Sequence, residues 1–254
     1  MDVLDTQIIS YSFKNSYVGN IENKTISSVS AKEFLLVQGS EFTKANYYIP
    51  VSNKFNHLLE NGIGISKLDH PFRKRDTDQI ILEFGHVHPT LIEFGNLAIA
   101  EAINLKAKNV YISSIQFLEK DKRKILLDRF EYLVENNINC IPLNKKIVEL
   151  SLSLLHVFLK IYNSKEKFKN TLNDVFILAT AINSSSTLIT KDSLLNRFAT
   201  EYFDTTLNEN SGSLLIDFRK VKTSEFPKSK ESKGYINKGW RVQVRNYHGE
   251  WRKK

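Results

Sequence analysis

Apolar positions fall along this chain in short blocks that alternate between two spacings. Val3-Leu4 is a brief apolar strand ending on Asp5, and Gln7–Phe13 follows with helical spacing. Thr25–Ser30 alternates as a strand does, and Ala31–Val37 continues as the start of a helix, with Glu33 polar inside an apolar stretch. Asn109–Ser114 is rich in β-branched and aromatic residues and predicts another strand. Lys124–Asn136 carries Ile125, Leu126, Phe130 and Leu133 at helical spacing, and Asn139–Pro142 reads as a short strand. Lys145–Tyr162 is a long helix whose His156 reads as a packing or surface residue. The clearest block is Asn170–Phe198. Asp174 opens an apolar run to Ile182 broken only by Thr180, and short polar side chains such as Asn173 and Asp174 suit a helix start. Asn183 and three serines interrupt it, Ser186–Thr190 is a buried-type strand, and Asp192 comes next. Strands alternating with helices predict an α/β fold, three layers about a central, mainly parallel sheet.

Residues 39–108 break the rhythm and read as an inserted segment within a body formed by 1–38 and 109–218. The segment has turn signals at Asn61–Gly64 and His70-Pro71, a strand at Gln79–Phe84 and a helix at Thr90–Ala107. Leu82–Gly85 is echoed by Ile92–Gly95, too briefly to count as a repeat. His86 and His88 would share a strand face, but no third ligand lies near, so a structural role is the expectation. Gly62 and Gly64 lack the strand and third glycine of a dinucleotide loop.

Composition changes the picture in two places. With 254 residues, 41% hydrophobic and 25% charged, the chain is ordinary for a soluble globular protein. Its single cysteine, Cys140, excludes an internal disulfide framework and a Cys-rich zinc site, as suits a reducing compartment. No apolar run approaches the ~20 residues of a membrane helix, and Asp2 and Asp5 spoil a signal-peptide pattern, so the expected location is cytoplasmic, with no membrane partner. The second place is charge. Arg219 to Lys254 hold twelve of the 36 basic and three of the 28 acidic residues, a net +9 that leaves the preceding 218 residues at −1. This extension (219–254) interleaves Trp240 and Trp251 with Arg241 and Arg245, which suits nucleic-acid binding by charge and base stacking. Gly239–Asn246 also alternates as an edge strand would.

Asp5, Asp174 and Asp192 each close or follow a strand, or open a helix beside one. In a parallel sheet all strand carboxyl ends share one edge, so these groups can meet although distant in sequence. Clustered carboxylates repel and raise one another's pKa. A hard divalent cation relieves that repulsion, and it can activate water for attack on a phosphodiester.

Four motifs, VLDTQIIS with Asp5, ISSVSAKEFLLV with Glu33, LNDVFILATAI with Asp174 and TLITKD with Asp192, resemble the PIN-domain nuclease family. The likeness covers Met1–Gln38 and Lys124–Tyr202. It implies a three-layer α/β/α PIN-like fold with an insertion. It further implies a Mg²⁺- or Mn²⁺-dependent hydrolase, most often an endoribonuclease, with Asp5, Glu33, Asp174 and Asp192 as catalytic metal ligands. Nucleic acid, RNA foremost, is the implied partner, with a homodimer or a regulatory protein as further candidates. Gln7 stands where many relatives carry Asn, and Ser193-Leu194-Leu195 lacks the extra acid of some members. Ile112–Glu119 mimics the Glu33 motif, but the order strand, helix, strand, Glu-helix is complete by Val37, which favours Glu33 over Glu119. Two alternatives stay open: a catalytically inactive PIN-like RNA-binding or scaffold protein, and a structure-specific DNA nuclease.

Overall fold

The first strand, β1 (Asp2–Leu4), has one side chain in each of two cores. Val3 packs beneath one helical layer and Leu4 beneath the other, because successive strand residues point to opposite faces. The structure is a computed structural model that describes residues 1–37, 78–85, 88–115, 118–162, 168–203, 205, 207–210, 212–221 and 239–245. Beside β1 lie β2 (Thr25–Ser27) and β6 (Thr187–Thr190), both parallel to it, with Val3 opposite Thr25 on one side and Leu188 on the other. β5 (Asn139–Ile141) extends the parallel part beyond β2. Past β6, the antiparallel pair β8 (Ser213–Asp217) and β7 (Leu207–Asn210) completes a six-stranded, mainly parallel sheet. The predicted α/β/α sandwich is therefore the observed architecture.

Helices cover both faces. On the Leu4 side are α1 (Thr6–Phe13), much of α2 (Ser28–Phe34), α3 (Asn96–Asn104), α4 (Lys108–Ser114) and α5 (Lys120–Glu135). On the Val3 side are α6 (Lys145–Ile161), α7 (Phe168–Asn183) and α8 (Ser193–Phe203). From Leu172 to Ile182 only Asp174 of α7 is not fully buried, which is why its sequence is apolar on every face. It stops where Ser185 takes a left-handed φ of 48° and the Ser186 amide reaches back to the Ala181 carbonyl. Each such fully buried apolar side chain contributes about 1.5–3 kcal/mol.

A second, three-stranded antiparallel sheet packs into the Val3-side core. Its strands are β4 (Leu91–Phe94), β3 (Gln79–Glu83) and β9 (Arg241–Arg245), in that order. The predicted insertion and the basic extension thus meet here, Leu82 opposite both Leu91 and Val242. The Leu82–Gly85 and Ile92–Gly95 echo marks two strand ends, each closed by a glycine with positive φ. Residues 38–77, with the turn signals placed there, lie outside the described residues, as does His86.

Four predicted elements differ. Asn109–Ser114 is not a strand but lies in α4. Ala107, Val110, Tyr111, Ser114, Ile115 and Leu118 recur at helical spacing and are buried, and Tyr111 stacks on Phe130 of α5 at 4.2 Å, so packing outweighs β propensity. The helix predicted over Thr90–Ala107 is β4 followed by α3, divided where Gly95 turns with φ 63° and the Asp78 carboxylate accepts the Leu97 and Ala98 amides. α2 starts at Ser28, earlier than predicted, because the Ser27 hydroxyl caps it by accepting the Ser30 amide at 3.0 Å. Asp174 does not open its helix, since α7 begins at Phe168 and already buries Thr171 and Leu172. α3 belongs to the body, packed with α2 and β5 in the Leu4-side core. Its Asn104 side chain pairs with both the amide and the carbonyl of Cys140, completing the β5 edge as a strand would. No helix among the described residues is long and apolar enough to cross a membrane.

Candidate active site at the carboxyl edge of the sheet

Asp5 comes immediately after β1, its backbone amide bonded to the Ile189 carbonyl of β6 at 3.0 Å, as the ladder would continue. The chain turns into α1 at Thr6, so the carboxylate is left at the sheet edge, 4% exposed. The Thr190 hydroxyl, the last residue of β6, donates to Asp5 Oδ2 at 2.6 Å. The same hydroxyl oxygen accepts the Asp192 amide at 2.9 Å, so one threonine joins the two predicted acids. Asp192 Oδ1 accepts the amides of Leu194 and Leu195 at 2.9 and 2.8 Å and so caps α8.

Glu33, on α2, is clamped from two sides. Thr6 Oγ1 donates to its Oε2 at 2.6 Å and Asn173 Nδ2 of α7 donates to its Oε1 at 2.7 Å. α2 is itself held at its end by Arg129 of α5, whose Nη1 donates to the Phe34 and Leu36 carbonyls. Burial pushes the Asp5 carboxyl up to about 6, the Thr190 hydroxyl and Thr6 amide lower it, and the charges of Glu33 and Asp192 raise it further. Glu33 and Asp192 therefore both lie close enough to act on Asp5. Asp174, half-buried one position beyond Asn173, is not among the charges that raise Asp5. Glu119 lies at the start of α5, exposed and 3.2 Å from Lys122.

The donors are all oxygen, the chemistry that suits Mg²⁺ or Mn²⁺. Yet among the described residues no three acidic, histidine or cysteine side chains are close enough to hold one ion as they stand. The residues that orient the acids, Thr6, Asn173 and Thr190, carry no signal in the sequence.

The predicted nucleic-acid residues of the extension divide. Trp240 is 4% exposed, packed edge-on to Phe84 at 5.1 Å and facing His156, and so is a core residue without a face for a base. Alternation explains it: Val242 and Val244 of β9 pack on the same core, leaving Arg241 exposed on the other side. The Arg245 side chain and all of Trp251 lie outside the described residues. His88 stacks on Phe168 at 3.7 Å, and burial lowers its pKa, which is a packing role. Cys140 is buried and unpaired.

No family model matches this chain, and neither a curated protein nor a solved structure matches it.

Proposed function

We propose that the protein is a divalent-cation-dependent nuclease of PIN-like type, acting on RNA in preference to DNA. The observation that carries the reading is Asp5. A carboxylate sealed at the end of a central parallel strand, and driven up to about 6 by its burial and by Glu33 and Asp192, is a poor structural element and a good cation ligand. Asp5, Glu33 and Asp192 would hold Mg²⁺ or Mn²⁺, with Asp174 approaching from α7. Such an ion supplies Lewis-acid stabilisation of a phosphodiester and activation of water. The protein's own part is orientation. Thr190 fixes the Asp5 and Asp192 positions relative to each other, the α8 amides hold Asp192, and Thr6 and Asn173 set the Glu33 rotamer. Above pH 6 the folded protein presents Asp5 ionised.

A second reading, a non-catalytic PIN-like RNA-binding or scaffold protein, is favoured by a specific observation: each Glu33 oxygen already accepts one protein donor, which leaves only its second lone pair for a cation. Labelled RNA, single-stranded DNA and flapped duplex DNA, incubated with wild type or Asp192→Asn in Mg²⁺, Mn²⁺ or EDTA, separate the two. Cleavage of RNA by wild type that both EDTA and Asp192→Asn abolish supports the nuclease. RNA binding without cleavage supports the scaffold, and preferential cutting of the flapped duplex points to a DNA nuclease.

A further inference from the structure

β4 sends one carboxylate into the body beside this site. Glu93 is 5% exposed, and burial pushes its carboxyl up, but the ammonium groups of Lys32 and then Lys169 more than offset that and hold it below the usual range. Lys32, itself buried, donates to Glu93 Oε2, and Lys169 Nζ stands 3.2 Å from Oε1. Each oxygen of the Glu93 carboxylate thus meets an ammonium group.

The two lysines differ in what else they face. Lys32 is sealed in, whereas the Lys169 side chain is 57% exposed. Lys169 lies in the first turn of α7, four residues before Asn173 and therefore on the same helix face. Asn173 is the residue that donates to Glu33, and Lys32 adjoins Glu33 in sequence. An exposed ammonium group is in this way placed one helical turn from the side chain that holds Glu33.

We propose that Lys169 is a substrate-binding residue that contacts the phosphates of a polynucleotide strand at the carboxylate site, with Glu93 as the residue that positions it. The inference rests on the nuclease reading above, which supplies the anionic strand. An acidic site repels the phosphates that flank the one engaged by a bound ion, and a cation at its margin lowers that repulsion. Lys169 is placed for this, and an exposed ammonium in a shared pair adds little to stability by itself.

The test is fluorescence anisotropy of a short labelled single-stranded RNA in EDTA, which silences cleavage, across a salt series. Wild type is compared with Lys169→Ala, Lys169→Glu and Lys169→Arg, each checked by thermal melting. Lys169→Ala is expected to weaken binding about three- to tenfold at low salt and to reduce the log–log salt slope by about 0.7, the share of one phosphate contact on a single strand. Lys169→Glu should weaken it further and Lys169→Arg should restore it. In Mg²⁺, KM should rise more than kcat falls. If wild type binds and cleaves RNA while Lys169→Ala and Lys169→Glu match its affinity and slope, the inference is overturned and the nuclease reading stands. If wild type neither binds nor cleaves any nucleic acid, the nuclease reading fails and takes this one with it.

Discussion

Asp5→Asn should make the folded protein more stable at alkaline pH, although it removes a residue from the candidate site. The Asp5 carboxyl rises from 3.8 to about 6 on folding, chiefly through burial. Between those values the folded chain keeps a proton that the unfolded chain has released. Stability is therefore lost as pH rises through this window, and the full penalty is present above about pH 6. A difference of about two pH units corresponds to about 3 kcal/mol. The amide that replaces the carboxylate would carry no charge, and its carbonyl can still accept from Thr190. At pH 8 the variant should melt higher than wild type by at most ~6–12 °C, at ~2–4 °C per kcal/mol for a chain of this size. At pH 4 the gap should shrink to a small fraction of that. Circular-dichroism melts of both proteins from pH 4 to pH 8 measure it directly. An offset between the two curves that stays constant across this range would refute the reasoning, because only a titrating Asp5 makes the difference depend on pH. Excess Mg²⁺ at pH 8 should raise the wild-type midpoint and leave the variant's unchanged.

Three further outcomes are expected. Glu93→Gln should cost about 3–5 kcal/mol in urea unfolding, because Lys32 keeps its charge in a buried position without that carboxylate, and adding Lys32→Met should recover much of the loss. The carboxylate's contribution is present at neutral pH and is lost as acid protonates Glu93 below the ordinary range, so acid unfolding of wild type should include this step. Trp240→Ala should lower stability by ~3–5 kcal/mol, as for other large core truncations; an unchanged urea midpoint with weakened RNA binding would return Trp240 to the nucleic-acid interface. Asn173→Ala should slow single-turnover RNA cleavage about 10- to 100-fold through loss of Glu33 orientation, the range seen when residues supporting metal ligands are removed.

How much of this was legible in the sequence depends on range. β1, β6 and α7 were readable because two neighbouring residues, or one apolar run, declare an element without help from elsewhere. NVYISS misled because its composition favours a strand while its buried positions, continued through Ile115 and Leu118, follow a helix. Asp5 and Asp192 stand out by their strand-end positions, whereas Glu33 is singled out only by the family resemblance. Asn173 reads in the sequence only as a helix starter, since nothing near it in the chain says that it meets a glutamate 140 residues away. Trp240 stands among arginines in the sequence, whereas the alternation of β9 places it with Val242 and Val244 on the buried face.

The joining of Asp5 to Thr190, 185 residues later in the chain, has a consequence for the order in which the protein is made. Synthesis delivers Asp5 and Glu33 early, but β1 has β2 alone beside it until β6 leaves the ribosome. Through most of translation these acids stay hydrated and uncoupled, and none of the tuning of Asp5 exists. On the proposed function, the site would have no activity until β6 has emerged and paired with β1.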